Sequence, residues 1–265
     1  MALLAVDIGN SHTSLGLLEG EGPDARVLVD WRVATDERRT ADEWAVLVRG
    51  LLRGWRGPTV EDLDGIAVCA TVPSVLHEWR DMLARHVPDV PMVVVGPGVR
   101  TGLPVLTDNP REVGADRIVN ALAAATLHSV PAIVVDFGGT ATTFDVVSDK
   151  GQYVGGAISP GLELSLEALG RRGAQLRKVE LVRPRGAIAK NTVEALQSGM
   201  VFGVAAQVEG LVHRMVDELG ADLDDVCVIA TGHLAPLLLD DCPVFSVHAP
   251  GLTLQGLALV FERNS

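Results

Sequence analysis

The sequence predicts an α/β protein made of a duplicated mixed β-sheet with helices packed against it, and two stretches carry that prediction. Leu3 to Leu18 reads LLAVDIGNSHTSLGLL: an apolar run, an Asp, a Gly among small hydroxyl residues, then a second apolar run. Ile133 to Val147, IVVDFGGTATTFDVV, repeats it. Each reads as a buried strand, a tight polar turn and a returning antiparallel strand, because short apolar runs broken by Gly and small polar residues are hairpin signals. Further strands and amphipathic helices follow each hairpin, and that order builds a helix-covered mixed sheet. The expected division is an N-terminal domain over residues 1–115 and a C-terminal domain over 116–265.

After the first hairpin, Val27 to Val33 (VLVDWRV) reads as a third strand. Thr40 to Gly54 has apolar residues at helical spacing, with Thr40 as N-cap and Glu43 as its capping-box partner. Ile66 to Ala70 is a short apolar strand, Val75 to His86 a helix, and Pro91 to Val95 another strand. His77 and His86 fall on solvated helix faces. Thr101 to Pro110 is loop-like, with Asn109-Pro110 and Glu112 placed to cap a turn. Gly114-Ala115-Asp116-Arg117 then opens an alanine-rich helix whose small side chains permit close packing.

In the second half, Gly151 to Gly161 looks like backbone laid near a ligand or another strand, and Leu162 to Leu169 is helical. Arg171, Arg172, Arg177, Lys178, Arg183 and Arg185 form the one basic concentration. It reads as a solvated or phosphate-facing loop, since no aromatic residues are interleaved for base stacking. Asn191-Thr192 enters a long helix reaching Leu219, Val226 to Ala230 is a buried strand leading into Thr231-Gly232-His233, and Leu252 to Phe261 is a terminal helix.

Composition excludes several classes of function. Lys plus Arg number 22 against 34 Asp plus Glu, a formal charge of −12, so non-specific nucleic-acid or anionic-membrane binding is not expected. The first residues lack a basic leader region, and no uninterrupted apolar run reaches membrane-spanning length, so neither secretion nor a membrane partner is expected. Cys69, Cys227 and Cys242 are odd in number and show no metal spacing; they read as reduced thiols of a cytoplasmic protein. There is no G-x-x-x-x-G-K-[ST], no G-x-G-x-x-G between strand and helix, and no G-x-S-x-G.

The chemistry therefore rests on the two turns. Gly9, Gly138 and Gly139 allow close backbone approach, and the turn N–H groups with the hydroxyls of Ser11, Thr13, Thr140, Thr142 and Thr143 can donate to phosphate oxygens. Asp7 and Asp136 cannot hold phosphate directly; a cation must stand between. Asp7 is placed beside Mg²⁺ or its waters and Asp136 beside a second cation. Asp116 falls in the first turn of a helix, where the macrodipole favours its anion, with Arg117 adjacent for an anionic group. Positioned phosphates, charge neutralisation and a base near an acceptor hydroxyl are what phosphoryl transfer needs. On residue chemistry alone a kinase and an ATPase both remain open, and Asp116 could equally be a helix-start residue.

DIGNSHTSLG, DNPREVGADRIVN, VVDFGGTATTFDVV, GGAISPGLELSLEAL, AIAKNTVEALQSGMVFG and the terminal LTLQGLALVFE together resemble the type III pantothenate kinases of the acetate and sugar kinase/Hsp70/actin superfamily, over essentially the whole chain. The resemblance implies two actin-like (ribonuclease H-like) domains with ATP in a cleft between them. It implies ATP-dependent phosphorylation of pantothenate to 4'-phosphopantothenate, the first step of coenzyme A synthesis. By the same resemblance Asp7, Ile8, Gly9, Asn10, Ser11, His12, Thr13 and Ser14 form the first phosphate-binding hairpin, and Thr140 touches ATP. Gly114, Ala115, Asp116, Arg117 and Thr192 contact pantothenate, Asp116 as the base and Arg117 facing the carboxylate. Asp136 binds potassium or ammonium, and the chain is a homodimer. Three positions depart from the family pattern: Gly138-Gly139 where a single Gly is usual, His233 where a second Gly is expected, and Thr107 near where relatives carry a Tyr. Those departures leave two alternatives, a catalytically weak regulatory protein and a kinase for a different small hydroxyl substrate.

Overall fold

The computed structural model describes residues 1–172 and 179–265; Arg177 and Lys178 of the basic concentration, and the side chain of Arg172, lie outside what is described. In chain order the first elements are β1 (Ala2–Ile8), β2 (His12–Glu19), β3 (Arg26–Ala34), α1 (Ala41–Trp55), β4 (Gly65–Ala70), α2 (Pro73–His86), β5 (Met92–Val94) and α3 (Ala115–Leu127). They are followed by β6 (Ala132–Phe137), β7 (Ala141–Val147), β8 (Tyr153–Pro160), α4 (Leu162–Arg172), α5 (Thr192–Leu219), β9 (Cys227–Thr231), β10 (Val247–His248) and α6 (Leu252–Glu262).

The elements form two compact units, residues 1–103, 108–127 and 251–265 in one, and residues 104–107 and 128–250 in the other. The first contains a sheet of order β3-β2-β1-β4-β5, the second a sheet of order β10-β9-β6-β7-β8. In both, the hairpin strands are antiparallel and the next strands join parallel: β4 beside β1 and β9 beside β6. The duplication predicted from the two hairpins therefore extends to the whole sheet.

Unit 1 folds around an apolar β-sheet face. Leu4, Val6 and Ile8 of β1 and Leu15 and Leu17 of β2 pack with Trp44, Val48 and Leu52 of α1 and Val75, Trp79 and Met82 of α2. Each such side chain contributes about 1.5–3 kcal/mol when fully buried. The capping box that starts α1 forms as read from sequence, with Thr40 accepting from the Glu43 N–H, and Arg56 ends the helix at φ 61°. On the other side α3 and α6 cross closely. Gly256 makes this possible, because a Cβ there would lie 2.4 Å from the Val119 carbonyl oxygen, and the Thr253 hydroxyl donates to Asn120 Oδ1 at 2.7 Å.

That contact corrects the expected division at residue 115. Residues 116–127 and the C-terminal helix belong with the N-terminal sheet, since α6 packs on β1 and β4 and α3 on β4. Residues 104–107 go the other way: Leu106 N–H donates to the Tyr153 carbonyl (2.8 Å) and Tyr153 N–H to the Pro104 carbonyl (2.9 Å). The Gly151–Gly161 stretch contains an edge strand, β8, paired with β7.

In unit 2, α5 lays Val201, Ala205, Val208, Val212 and Val216 against Ile133, Val135, Phe144 and Val228. Asn191 caps its start and Gly220, at φ 66°, its end. By length and composition α5 is also the one helix among the described residues able to cross a membrane. Its buried residues form one stripe, which packs on the sheet of unit 2. Of the described basic residues here, Arg171 pairs with Glu167, Arg183 with Asp241 and Arg185 with Glu194.

Candidate active site

In unit 1 the candidate residues converge at the carboxyl ends of β1 and β4. Asp7 and Cys69 face each other across the parallel strands, and the Cys69 thiol donates to Asp7 Oδ1 at 3.2 Å. Burial, then the negative charges of Asp7 and Asp116, hold the Cys69 thiol well above its ordinary pKa, so it stays S–H and remains a donor. Asp7, Cys69 and Asp116 thus share one electrostatic neighbourhood.

Asp116 sits in the first turn of α3 with its Oδ1 buried and without a hydrogen-bond partner. Gly114 permits this, since a Cβ on it would lie 2.4 Å from that oxygen. Burial raises the Asp116 pKa, and the N–H groups of Arg117 and of Asp116 itself, then the Arg117 charge, pull it partly back. A half-buried carboxylate with raised basicity and an open acceptor position is the form a general base takes.

The turn after β1 is braced from two sides. The Ile8 carbonyl accepts from the Thr71 N–H (2.9 Å) and hydroxyl (3.1 Å). The Gly9 carbonyl accepts from the Thr35 hydroxyl (2.7 Å), and the Ser11 carbonyl from the Thr35 N–H (3.0 Å). Asn10 and Ser11 are left exposed at the tip, with His12 and Ser14 half-buried. Thr13 differs from the expectation: it is fully buried and its hydroxyl pairs with that of Thr35 at 2.9 Å, so it faces inward and not toward a phosphate.

In unit 2, Asp136 faces Thr143 in the register in which Asp7 faces Ser14. Phe137 pairs with Thr142 as Ile8 pairs with Thr13, so the two turns have the same length and the second Gly at 138–139 produces no shift within this hairpin. The irregularity in the neighbouring β7–β8 pairing falls at Val146/Val147, away from the turn. Asp136 lies over Gly232, whose Cβ would fall 2.5 Å from Oδ1 and 2.7 Å from the Phe137 backbone nitrogen. His233 follows directly and its Nε2 lies 3.3 Å from Glu163 Oε1. Thr140 is half-buried beside Gly139, and the Thr142 hydroxyl is buried without a partner.

Thr192 is exposed as the first residue of α5. Thr107 presents a buried hydroxyl oxygen without a partner. A further buried group was not singled out in the sequence: Asp145 is fully buried and accepts from the Tyr153 hydroxyl (2.9 Å) and the Thr143 hydroxyl (3.2 Å). Thr35, Thr71 and the Cys69–Asp7 bond were likewise not anticipated, because each acts across 22 or more residues of sequence and leaves no local pattern.

A cation fits the acidic positions by chemistry. Magnesium takes carboxylate oxygens together with phosphates and water, and Asp7 supplies a carboxylate at the lip of a turn with exposed residues. In unit 2, Asp136 is a carboxylate held against a backbone that admits no side chain at 232.

Residues 3–214 match the profile of a family described as Type III pantothenate kinase. A protein named "Type III pantothenate kinase" from Nocardioides sp. (strain ATCC BAA-499 / JS614) is 72% identical over 265 residues, covering 100% of both chains. Among solved structures, the activator of the 2-hydroxyisocaproyl-CoA dehydratase from Clostridium difficile, with bound ADPNP, aligns with a TM-score of 0.56 at 12% identity. That alignment covers 100% of this chain and 96% of the other. An inorganic polyphosphate/ATP-glucomannokinase from Arthrobacter sp. strain KM aligns with a TM-score of 0.51 at 15% identity, covering 97% of each chain. Both alignments show a shared fold, the α/β arrangement with two mixed sheets found here.

Proposed function

The chain belongs to the type III pantothenate kinase family, and we propose that it phosphorylates the primary hydroxyl of pantothenate with ATP through Asp116 as general base. The observation that carries the assignment of the base is the buried, unpartnered Asp116 Oδ1 over Gly114. In this reading Asp116 takes the hydroxyl proton as the oxygen bonds to the γ-phosphorus, the bond to the β–γ bridging oxygen breaks, and ADP leaves. Gly114, Ala115, Arg117 and Thr192 hold pantothenate, with the Arg117 guanidinium toward its carboxylate. The Asp7–Ser14 turn and Thr140 hold the nucleotide through backbone N–H groups, a reading supported by the exposure of the tip residues Asn10 and Ser11. Magnesium, held by Asp7, supplies charge neutralisation on the phosphates; Asp136 holds potassium or ammonium.

Three buried free cysteines support a reducing, cytoplasmic setting. Exposed apolar side chains just before and at the start of α5, Ile188 at 92% and Val193 at 49% exposure, support a homodimer.

ADP release from Mg²⁺·ATP, with and without pantothenate, in potassium and in sodium, tests the reading. Pantothenate-dependent turnover that requires potassium and is abolished by Asp116→Asn is expected. Absence of turnover from folded protein in either salt overturns it in favour of a regulatory role, and turnover only with another hydroxyl acceptor overturns the substrate.

A further inference from the structure

The two hairpin turns differ in one respect. At the same place in each, the residue after the third strand of the hairpin sheet donates its N–H to a turn carbonyl: Thr35 to Ser11 (3.0 Å) and Gly161 to Thr140 (2.9 Å). In the first turn that residue also carries a hydroxyl, which donates to the Gly9 carbonyl at 2.7 Å. In the second it carries nothing, and a Cβ there would lie 2.5 Å from the Gly139 carbonyl oxygen. The turn backbone therefore closes without a hydroxyl, and the hydroxyl of Thr35 does something other than close it.

A threonine hydroxyl has one proton. Thr35 gives its proton to the Gly9 carbonyl, so in the 2.9 Å contact with Thr13 the donor is Thr13. The relay runs in one direction, Thr13 to Thr35 to Gly9, and is complete. In the second turn Thr142 stands where Thr13 does, fully buried, and its hydroxyl has no partner. The Gly9–Asn10 peptide is trans, so its C=O and N–H point in opposite directions from one plane. Drawing the Gly9 carbonyl inward turns the Asn10 N–H outward. Without the bond, this peptide can rotate and present a carbonyl dipole, repulsive to an anion, at the exposed tip. The carbonyls of Ile8, Ser11 and His12 are already engaged, by Thr71, Thr35 and the Gly9 N–H respectively. Of these four carbonyls, that of Gly9 is the one held by a side chain alone, the hydroxyl of the residue that follows β3.

We propose that Thr35 is a positioning residue for the nucleotide: its hydroxyl pins the Gly9 carbonyl and thereby aims the Asn10 N–H at the phosphates, with Thr13 serving Thr35 instead of contacting ATP. The proposal rests on the kinase reading, and its failure is distinguishable from the failure of that reading.

The test uses Thr35→Val, which keeps shape and backbone N–H but removes the hydroxyl, with Thr35→Ser and Thr35→Cys. Affinity for Mg²⁺·ATP is measured by titration calorimetry, alongside KM for both substrates and thermal stability. Thr35→Val is expected to weaken nucleotide binding by about tenfold with the pantothenate KM unchanged. Serine restores it to within about twofold, and cysteine, a weak donor, falls between. If Thr35→Val does not fold, the serine-to-cysteine comparison decides. Nucleotide affinity that is the same with valine, cysteine and serine, or a loss shared equally by both substrates, overturns the proposal. Wild-type protein that does not phosphorylate pantothenate overturns the kinase reading instead.

Discussion

Oδ1 of Asp116 occupies the space that a Cβ on Gly114 would need, with 2.4 Å between them. A glycine two residues before the carboxylate therefore lets the start of α3 fold back on itself and leaves a buried acceptor without a donor.

Asp116→Asn keeps the shape of this arrangement and removes its basicity. The turnover rate is expected to fall by about 10²–10⁴-fold while Mg²⁺·ATP affinity is retained, as steady-state kinetics and calorimetry would show. Gly114→Ala is expected to lower turnover through displacement of the carboxylate in a folded protein; unchanged kinetics in either variant would remove Asp116 from the reaction.

Burial raises the Asp116 pKa, which fixes two signs. The base is lost as pH falls through this raised value, so the acid limb of kcat/KM lies above the usual aspartate value of about 3.9. For stability the fold favours the protonated form, so the charged carboxylate is a cost that is present above the folded-state pKa and gone below the unfolded one. Asp116→Asn is therefore expected to raise the midpoint of thermal unfolding at neutral pH while abolishing activity.

Gly232 has φ 85° and would place a Cβ 2.5 Å from Asp136 Oδ1. Gly232→Ala is expected to cost about 1–3 kcal/mol in denaturant unfolding. It is also expected to abolish activation by potassium by moving Asp136. Loss of stability with full potassium activation would separate Asp136 from the cation.

Tyr153→Phe deletes the hydroxyl that donates to the fully buried Asp145. Leaving a buried acceptor without its donor costs about 1–3 kcal/mol, and a loss of that size is expected with kcat unchanged.

The thiols offer a simple check. Cys69, Cys227 and Cys242 are buried and unpaired, and burial pushes the Cys242 thiol up to about 12. A thiol reagent at neutral pH is expected to leave the native protein unmodified and to titrate all three cysteines in denaturant.

The local code was legible where it is local. Thr40 and Glu43 announced the start of α1, Asn109 the turn before α3, and the alternation of apolar and small polar residues both hairpins. Edge strands were less visible: β8 has alternating burial but opens on Tyr-Val-Gly-Gly, a composition that reads equally as loop. The basic run read as one patch, yet Arg183 and Arg185 are each tied to an acid elsewhere in sequence.

The sequence by itself determined the duplicated α/β architecture, the family, and the identity of the acidic residues at the two turns, because each is written in contiguous residues. Tertiary structure decided the rest. It brought α3 and α6 to the N-terminal sheet through the contact at Gly256 and Val119, set Cys69 against Asp7, and gave Gly232 to Asp136. It also showed that two turns of equal length are held differently, one by the hydroxyl of Thr35 and the other by the bare backbone of Gly161. These are contacts between strands distant in sequence, where the effect of a residue depends on what the fold places opposite it, and no local pattern specifies that neighbour.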